Sequence, residues 1–209
     1  MKREESVAEK LLQINAVKLN PQKPFTWASG WKSPIYCDNR KILSFPHVRD
    51  FIKSEMTNMI FTEFPDADVI AGVATAGIPH GALVADLLSL PFIYVRSKPK
   101  EHGMGNQIEG VLNPGQRVVV VEDLISTGKS SMEAIEAIIS AGGIIEGLCS
   151  VFTYEFAIAS DLFLNRGIKT TSLSNYSSLL NVAVQKGLIS SDELETLANW
   201  RDQPSHWGK

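Results

Sequence analysis

Arg-Val-Val-Val-Val-Glu-Asp-Leu-Ile-Ser-Thr-Gly-Lys-Ser-Ser, residues 117–131, constrains the fold more tightly than any other stretch of the 209-residue chain. The valines after Arg117 form an unbroken β-branched run, which predicts a strand over residues 117–121 buried on both faces, as in a parallel sheet. The strand ends in two adjacent carboxylates, Glu122 and Asp123, followed by a short hydroxyl-rich loop and a helix over residues 130–140. A loop entering a helix presents free backbone N–H groups and a partial positive charge, which suits a phosphate. Gly128 permits close backbone approach to a ligand, and Ser126, Thr127 and Ser130 offer hydroxyls. Paired carboxylates at the carboxyl end of a strand accept hydrogen bonds from neighbouring sugar hydroxyls, and ligands of open α/β sheets gather at that end. Gly128-Lys129-Ser130 also looks like the tail of a GxxxxGK[ST] phosphate loop, but the first glycine would have to stand where Asp123 does. A blander reading, in which these residues merely cap the next helix, explains one acid or one serine but not the ordered set.

Strand and helix patterns alternate on both sides of this segment. Residues 68–71 read as a buried strand, followed by a glycine turn and a helix over Gly77–Leu88, and residues 91–95 and 144–152 read as further strands. Apolar residues at helical spacing run from Val7 to Ile14, and again after Pro46 through Val48, Phe51, Ile52, Met56, Met59 and Ile60. Residues 20–39 read as a loop, and helical patterns cover residues 175–184 and 191–200. The alternation predicts an α/β fold with a mainly parallel twisted sheet flanked by helices. No linker divides the sequence, so one domain over residues 1–209 is expected, with residues 1–45 an N-terminal element and 46–209 the core and C-terminal helices.

Hydrophobic residues make up 44 % and charged residues 21 %, a globular balance that excludes disorder. No apolar run reaches the length of a spanning helix, and the N-terminal Met-Lys-Arg-Glu-Glu leads into an amphipathic stretch rather than a secretory signal. A cytoplasmic protein with no membrane partner is expected. Cys37 and Cys149 form neither a disulfide framework nor a metal pair and read as small buried hydrophobes. His47 and His80, near helix starts, read as structural or exposed, and no direct metal ligand is expected. Glu133 and Glu136 read as solvated charges, and Trp200, His206 and Trp207 as a docked polar tail. The net charge of −3 argues against a nucleic-acid partner.

Against that acidic background one basic strip stands out, Tyr94-Val95-Arg96-Ser97-Lys98-Pro99-Lys100-Glu101-His102-Gly103-Met104-Gly105-Asn106. A charge run is usually a solvated loop. This one follows a strand directly and ends in glycines, and a mobile cationic loop is suited to neutralising a multiply charged leaving group.

Residues 118–131 resemble the phosphoribosyl-diphosphate motif of type I phosphoribosyltransferases: a hydrophobic run, two acids, two apolar residues and a hydroxyl-rich loop. The resemblance implies the type I fold, with Glu122 and Asp123 on the ribose 2′- and 3′-hydroxyls. It places Ser126, Thr127, Gly128, Lys129 and Ser130 around the 5′-phosphate, with Leu124 and Ile125 completing the contacts. Residues 25–40, Phe-Thr-Trp-Ala-Ser-Gly-Trp-Lys-Ser-Pro-Ile-Tyr-Cys-Asp-Asn-Arg, look like the orotate phosphoribosyltransferase signature F-x-x-x-S-G-x-x-S-P-x-Y-x-D-x-R, which helps form a hood over the base. Ala28 stands where many members have a lysine. The basic strip resembles the family's catalytic loop, which implies Arg96, Lys100 and His102 as diphosphate ligands and, with Asp123, as the catalytic groups. That loop closes over the neighbouring subunit's active site, which implies a homodimer. Ile70-Ala71-Gly72-Val73-Ala74-Thr75-Ala76-Gly77-Ile78-Pro79 resembles the pyrophosphate loop, with Ala76 in place of the lysine of some members. Close helix–strand packing accounts for these small residues equally well. Ser126 takes the position of a hydroxyl that contacts orotate, and Phe152-Thr153-Tyr154-Glu155 occupies the region where some members carry an arginine to the base.

The resemblance implies transfer of the 5-phosphoribosyl group from its 1-diphosphate to orotate in pyrimidine (UMP) biosynthesis, with Mg²⁺ bound mainly through the sugar diphosphate. A nucleotide-sensing regulator on the same fold is the rival from another class. It would keep residues 122–130 but have no need of the cationic strip. A phosphoribosyltransferase for another base is the nearer rival, which the signature at residues 25–40 disfavours.

Overall fold

A computed structural model describes residues 2–27, 30–98 and 107–207. Helix α1 (Arg3–Gln13) leads into β1 (Val17–Leu19), β2 (Phe25–Thr26), β3 (Lys32–Ser33), β4 (Ile35–Cys37) and a 3₁₀ turn over Asn39–Ser44. Then follow α2 (Pro46–Glu63), β5 (Val69–Val73), α3 (Gly77–Leu88), β6 (Phe92–Val95), β7 (Ile108–Glu109), β8 (Arg117–Ile125) and α4 (Lys129–Ser140). The remaining elements are β9 (Ile144–Thr153), α5 (Ala157–Leu164), β10 (Thr170–Asn175), α6 (Tyr176–Gln185) and α7 (Glu193–Asp202). No helix among the described residues is long and apolar enough to cross a membrane.

Six strands form the central sheet in the order β10-β9-β8-β5-β6-β7, parallel throughout except for the antiparallel pair β6–β7. The valine run explains the layering. Along β8, side chains alternate between faces: Val119 and Val121 join the cluster containing α1, α2 and α6, while Val118 and Val120 join the one containing α4 and α5. Arg117 anchors the start of β8, its guanidinium and N–H both donating to Asp68 at 2.9–3.2 Å.

The α/β architecture and the bounds of α3 agree with the sequence patterns. Three differences have physical causes. Residues 20–39, expected to be a loop, contain β2, β3 and β4 in two small antiparallel pairs, β1–β4 and β2–β3. These strands are two or three residues long, too short for a period-2 signal. Strand β10 has the polar sequence Thr-Thr-Ser-Leu-Ser-Asn because its hydroxyls find partners inside the fold: Ser172 Oγ lies 2.6 Å from Ser150 Oγ, and Ser174 Oγ donates to Glu4 O at 2.7 Å. Helix α5 is a two-turn helix with only Ala159 and Phe163 buried, so its apolar stripe is faint.

The N-terminal hairpins are pinned by distant parts of the chain. Trp200 of α7 is fully buried, and its Nε1 donates to Lys32 O at 3.2 Å. Its ring lies 5.2–5.7 Å from those of Trp27, Tyr154, Phe156 and Tyr176. Such pairs contribute about 0.5–1.5 kcal/mol each beyond area burial. Trp200 is thus a core residue rather than part of a polar tail.

Candidate active site

The sheet changes direction of growth at β5: β6 and β7 extend to one side of it, and β8, β9 and β10 to the other. Crevices at such a switch, beyond the carboxyl ends of the strands, are where open α/β sheets bind ligands. The register of β5 against β8 ends at Gly72 and Val121, whereas β9 follows β8 to Ile125. Beyond Val121, the start of α3 closes in on β8. A Cβ at Gly77 would lie 2.5 Å from Val121 O and 3.2 Å from Glu122 Cα, so only glycine allows the backbones this near. The turn over residues 74–76, which includes a cis Ala74–Thr75 peptide, leads directly into this close approach.

Glu122 and Asp123 lie inside β8 rather than after it, because pairing with β9 carries the strand past them. Glu122 is buried; its Oε1 accepts from the Asp123 N–H at 3.1 Å and its Oε2 from Ser131 Oγ at 3.2 Å. Burial, and then the charge of Asp123, hold the Glu122 carboxyl well above the usual range. Burial raises Asp123 as well, opposed by hydrogen bonds and by the Arg40 guanidinium. Asn39 Nδ2 donates to Asp123 O at 2.7 Å, tying the hood to the acids.

Residues 126–128 turn the chain into α4. Gly128 has φ +79° and is the helix N-cap; a Cβ there would sit 2.9 Å from the Phe163 ring. The first bond at this helix start runs from Met132 N to Gly128 O, which leaves the N–H groups of Lys129, Ser130 and Ser131 without intrahelical acceptors. Ser126 and Thr127 are half-buried, and Lys129 and Ser130 are exposed. The side chain of Ile125 packs into the core with Met132 and Phe163, and its carbonyl accepts from Tyr154 N at 3.1 Å.

Beside the acids, under the hood, lies a cavity of about 310 Å³ lined by Thr26, Trp27, Tyr36, Cys37, Leu124, Ser126 and Tyr154. Its walls are flat, aromatic and apolar, with hydroxyls from Thr26 and Ser126. Burial pushes the Tyr154 hydroxyl well above its usual range. Cys37 is half-buried rather than a core residue. Its thiol is held protonated by burial and by the charges of Asp123 and Asp38. Of these residues the motif reading placed only Ser126 at the base. Thr26, Trp27, Tyr36 and Cys37 were within reach as members of the signature over residues 25–40. The family resemblance marks residues 152–155 as the region where some members reach the base, and of these Tyr154 lines the cavity.

Arg96 follows β6 directly. Its N–H donates to Gln107 O at 2.9 Å, its carbonyl accepts from Gln107 Nε2 at 2.7 Å, and its guanidinium lies 3.6 Å from Glu109. Lys100 and His102 lie outside the described residues, as does Ala28. A larger groove of about 680 Å³ runs along the outer side of α4, but its cations are paired internally, Lys129 with Glu133 and Arg166 with Glu136. Most of its lining comes from α4 and the region of α5, with only Ser97 and Gln107 from beside a strand end, so its size does not make it the site. His80 is buried, and burial lowers its imidazole to about 4, so it is a neutral core residue. Among the described residues no group of three or more His, Cys, Asp or Glu side chains is arranged to hold a metal ion.

A model of the phosphoribosyl transferase domain family matches residues 44–153. Orotate phosphoribosyltransferase of Bacteroides thetaiotaomicron is 56 % identical over 200 residues, covering 96 % of this chain and 94 % of that protein. The Listeria monocytogenes protein of the same name is 53 % identical over 206 residues, covering 99 % of each. Among solved structures, orotate phosphoribosyltransferase from Aeropyrum pernix superposes with a TM-score of 0.76 at 28 % identity, over 88 % of this chain and 99 % of that one. UMP synthase of Leishmania donovani superposes with a TM-score of 0.77 at 27 % identity, over 94 % of this chain and 42 % of that longer one.

Proposed function

The chain belongs to the phosphoribosyl transferase family, among the orotate phosphoribosyltransferases, and we propose from this how its site works. The reaction moves the 5-phosphoribosyl group from 5-phosphoribosyl 1-diphosphate to orotate, giving orotidine 5′-phosphate and diphosphate in pyrimidine biosynthesis. The bond from C1 of the sugar to the diphosphate oxygen breaks with its electron pair leaving on diphosphate, and a bond from C1 to a ring nitrogen of orotate forms as that nitrogen gives up its proton, which leaves with the diphosphate. Such an anomeric centre passes through an oxocarbenium-like state. Positioning and charge stabilisation then supply most of the acceleration.

One juxtaposition carries this reading: the acid pair lies between a glycine-capped helix start and an aromatic-walled cavity at the sheet's switch point. Glu122 and Asp123 accept hydrogen bonds from the ribose 2′- and 3′-hydroxyls. The loop from Ser126 to Ser130, with the free N–H groups of α4, receives the 5′-phosphate, and Leu124 and Ile125 contribute their backbone. Ser126 and Leu124 also border the cavity, which receives the flat pyrimidine. Arg96, with Lys100 and His102, takes the diphosphate. Magnesium is proposed to be carried mainly by the sugar-diphosphate oxygens, with Glu122 and Asp123 beside the sugar as the acids nearest to it. Bound there, it would supply positive charge that offsets the charge on the leaving diphosphate. The whole chain is proposed to act as one domain, with the residues up to 45 as its hood, in the cytoplasm. It is proposed to work as a homodimer in which the strip from Arg96 to His102 serves the partner's site.

The test is spectrophotometric. Orotate absorbance is expected to fall when the protein is mixed with the sugar diphosphate and magnesium. Turnover of uracil or a purine with no change in orotate would overturn the base assignment and leave the reaction class standing.

A further inference from the structure

Orotate differs from uracil by a carboxylate, and an anion that leaves water for a cavity needs a cation or several N–H donors to meet it. None of the described residues lining the cavity under the hood carries a positive charge. One cation does reach its edge. Lys32 Nζ donates to the hydroxyl of Thr26, a lining residue, at 2.8 Å. The pairing of β2 with β3 sets Thr26 directly opposite Lys32. The backbone of Lys32 is in turn fixed by the hydrogen bond from the Trp200 indole to its carbonyl. The hood's other nearby cation, Arg40, is committed to Asp38 at 2.6 Å. Lys32 is thus an exposed cation on the strand paired with β2, held by a hydroxyl that an anionic oxygen can replace.

We propose that Lys32 is the specificity-determining residue for the base, its ammonium pairing with the orotate carboxylate at the mouth of the cavity. The inference rests on orotate being the substrate. It explains how a largely apolar pocket prefers the carboxylated pyrimidine over uracil: the neutral base would leave the ammonium on Thr26 and gain nothing from it.

The experiment compares the wild-type enzyme with Lys32→Met and Lys32→Arg, using orotate as substrate and the neutral carboxamide of orotate as a competitive inhibitor. Lys32→Met is expected to raise KM for orotate by about 10–100-fold, the weight of one charge-assisted hydrogen bond. The turnover number, KM for the sugar diphosphate and inhibition by the carboxamide stay within about twofold, and Lys32→Arg recovers most of the loss. An unchanged KM for orotate, or an equal weakening of the carboxamide, overturns the proposal, the second outcome marking Lys32 as merely structural. Wild-type enzyme that leaves orotate unconsumed overturns the substrate reading itself, and that outcome is visible before any variant is made.

Discussion

Glu122 is a carboxyl group held where its charged form is disfavoured, buried and beside a second acid. The fold therefore binds its proton more tightly than the unfolded chain does, and the stability this gives is complete below the unfolded value near 4.3. It is lost as pH rises from there through the raised folded value. Glu122→Gln removes that slope, so its melting temperature should exceed the wild type's by a margin that widens as pH rises above about 4. Activity should move the other way, with kcat/KM falling about 10–100-fold as one of the two oxygens that accept from the sugar becomes an NH₂ donor. Thermal melts across the pH range check the first half, and a gap that stays constant with pH counts against it. The acids and the glycine beside them were readable because their spacing is local, seven residues on one strand and turn. Tyr154 was readable only as one of four residues, 152–155, in the base region, because it reaches the cavity through the pairing of β8 with β9.

Helix α7 supports the hood chiefly through one fully buried side chain, Trp200. Trp200→Ala should cost about 3–5 kcal/mol, as for other buried large aromatics. Because Trp200 also packs against Trp27 and Tyr154, two walls of the base cavity, KM for orotate should rise more than KM for the sugar diphosphate. Denaturant melts and steady-state kinetics read the two effects separately. Equal changes in both KM values would remove the link from α7 to the base. Long amphipathic helices and the valine strand announced themselves through periodic burial, and the bounds of α3 matched the pattern. Strand β10 and the short hood strands did not. Their polar groups are satisfied by partners far along the chain, such as Glu4 for Ser174, which no local window contains.

If two copies share their sites, two inactive variants should rescue each other. Asp123→Asn disables the site that holds the sugar, whereas Lys100→Ala disables the strip lent to the neighbour. Mixed and re-equilibrated, random pairing should give one intact site in each mixed dimer and restore roughly a quarter of wild-type activity. Activity no higher than that of the separate variants would show that each chain completes its own site. A net charge of −3, with Arg96 at the end of β6 beside the switch point, suits a small, highly anionic substrate drawn to one local cationic site.

The indole of Trp200 and the carbonyl of Lys32 are 168 residues apart in the chain, and their meeting sets an order of events during synthesis. The strand, acids and turn that receive the sugar phosphate are all translated well before α7. A growing chain therefore has its phosphate cradle in hand for several seconds, at about 5–20 residues per second, before the base pocket gains its supporting wall. Through that interval Trp27 lacks the Trp200 indole it packs against, and the apolar surface left bare is one a chaperone can recognise.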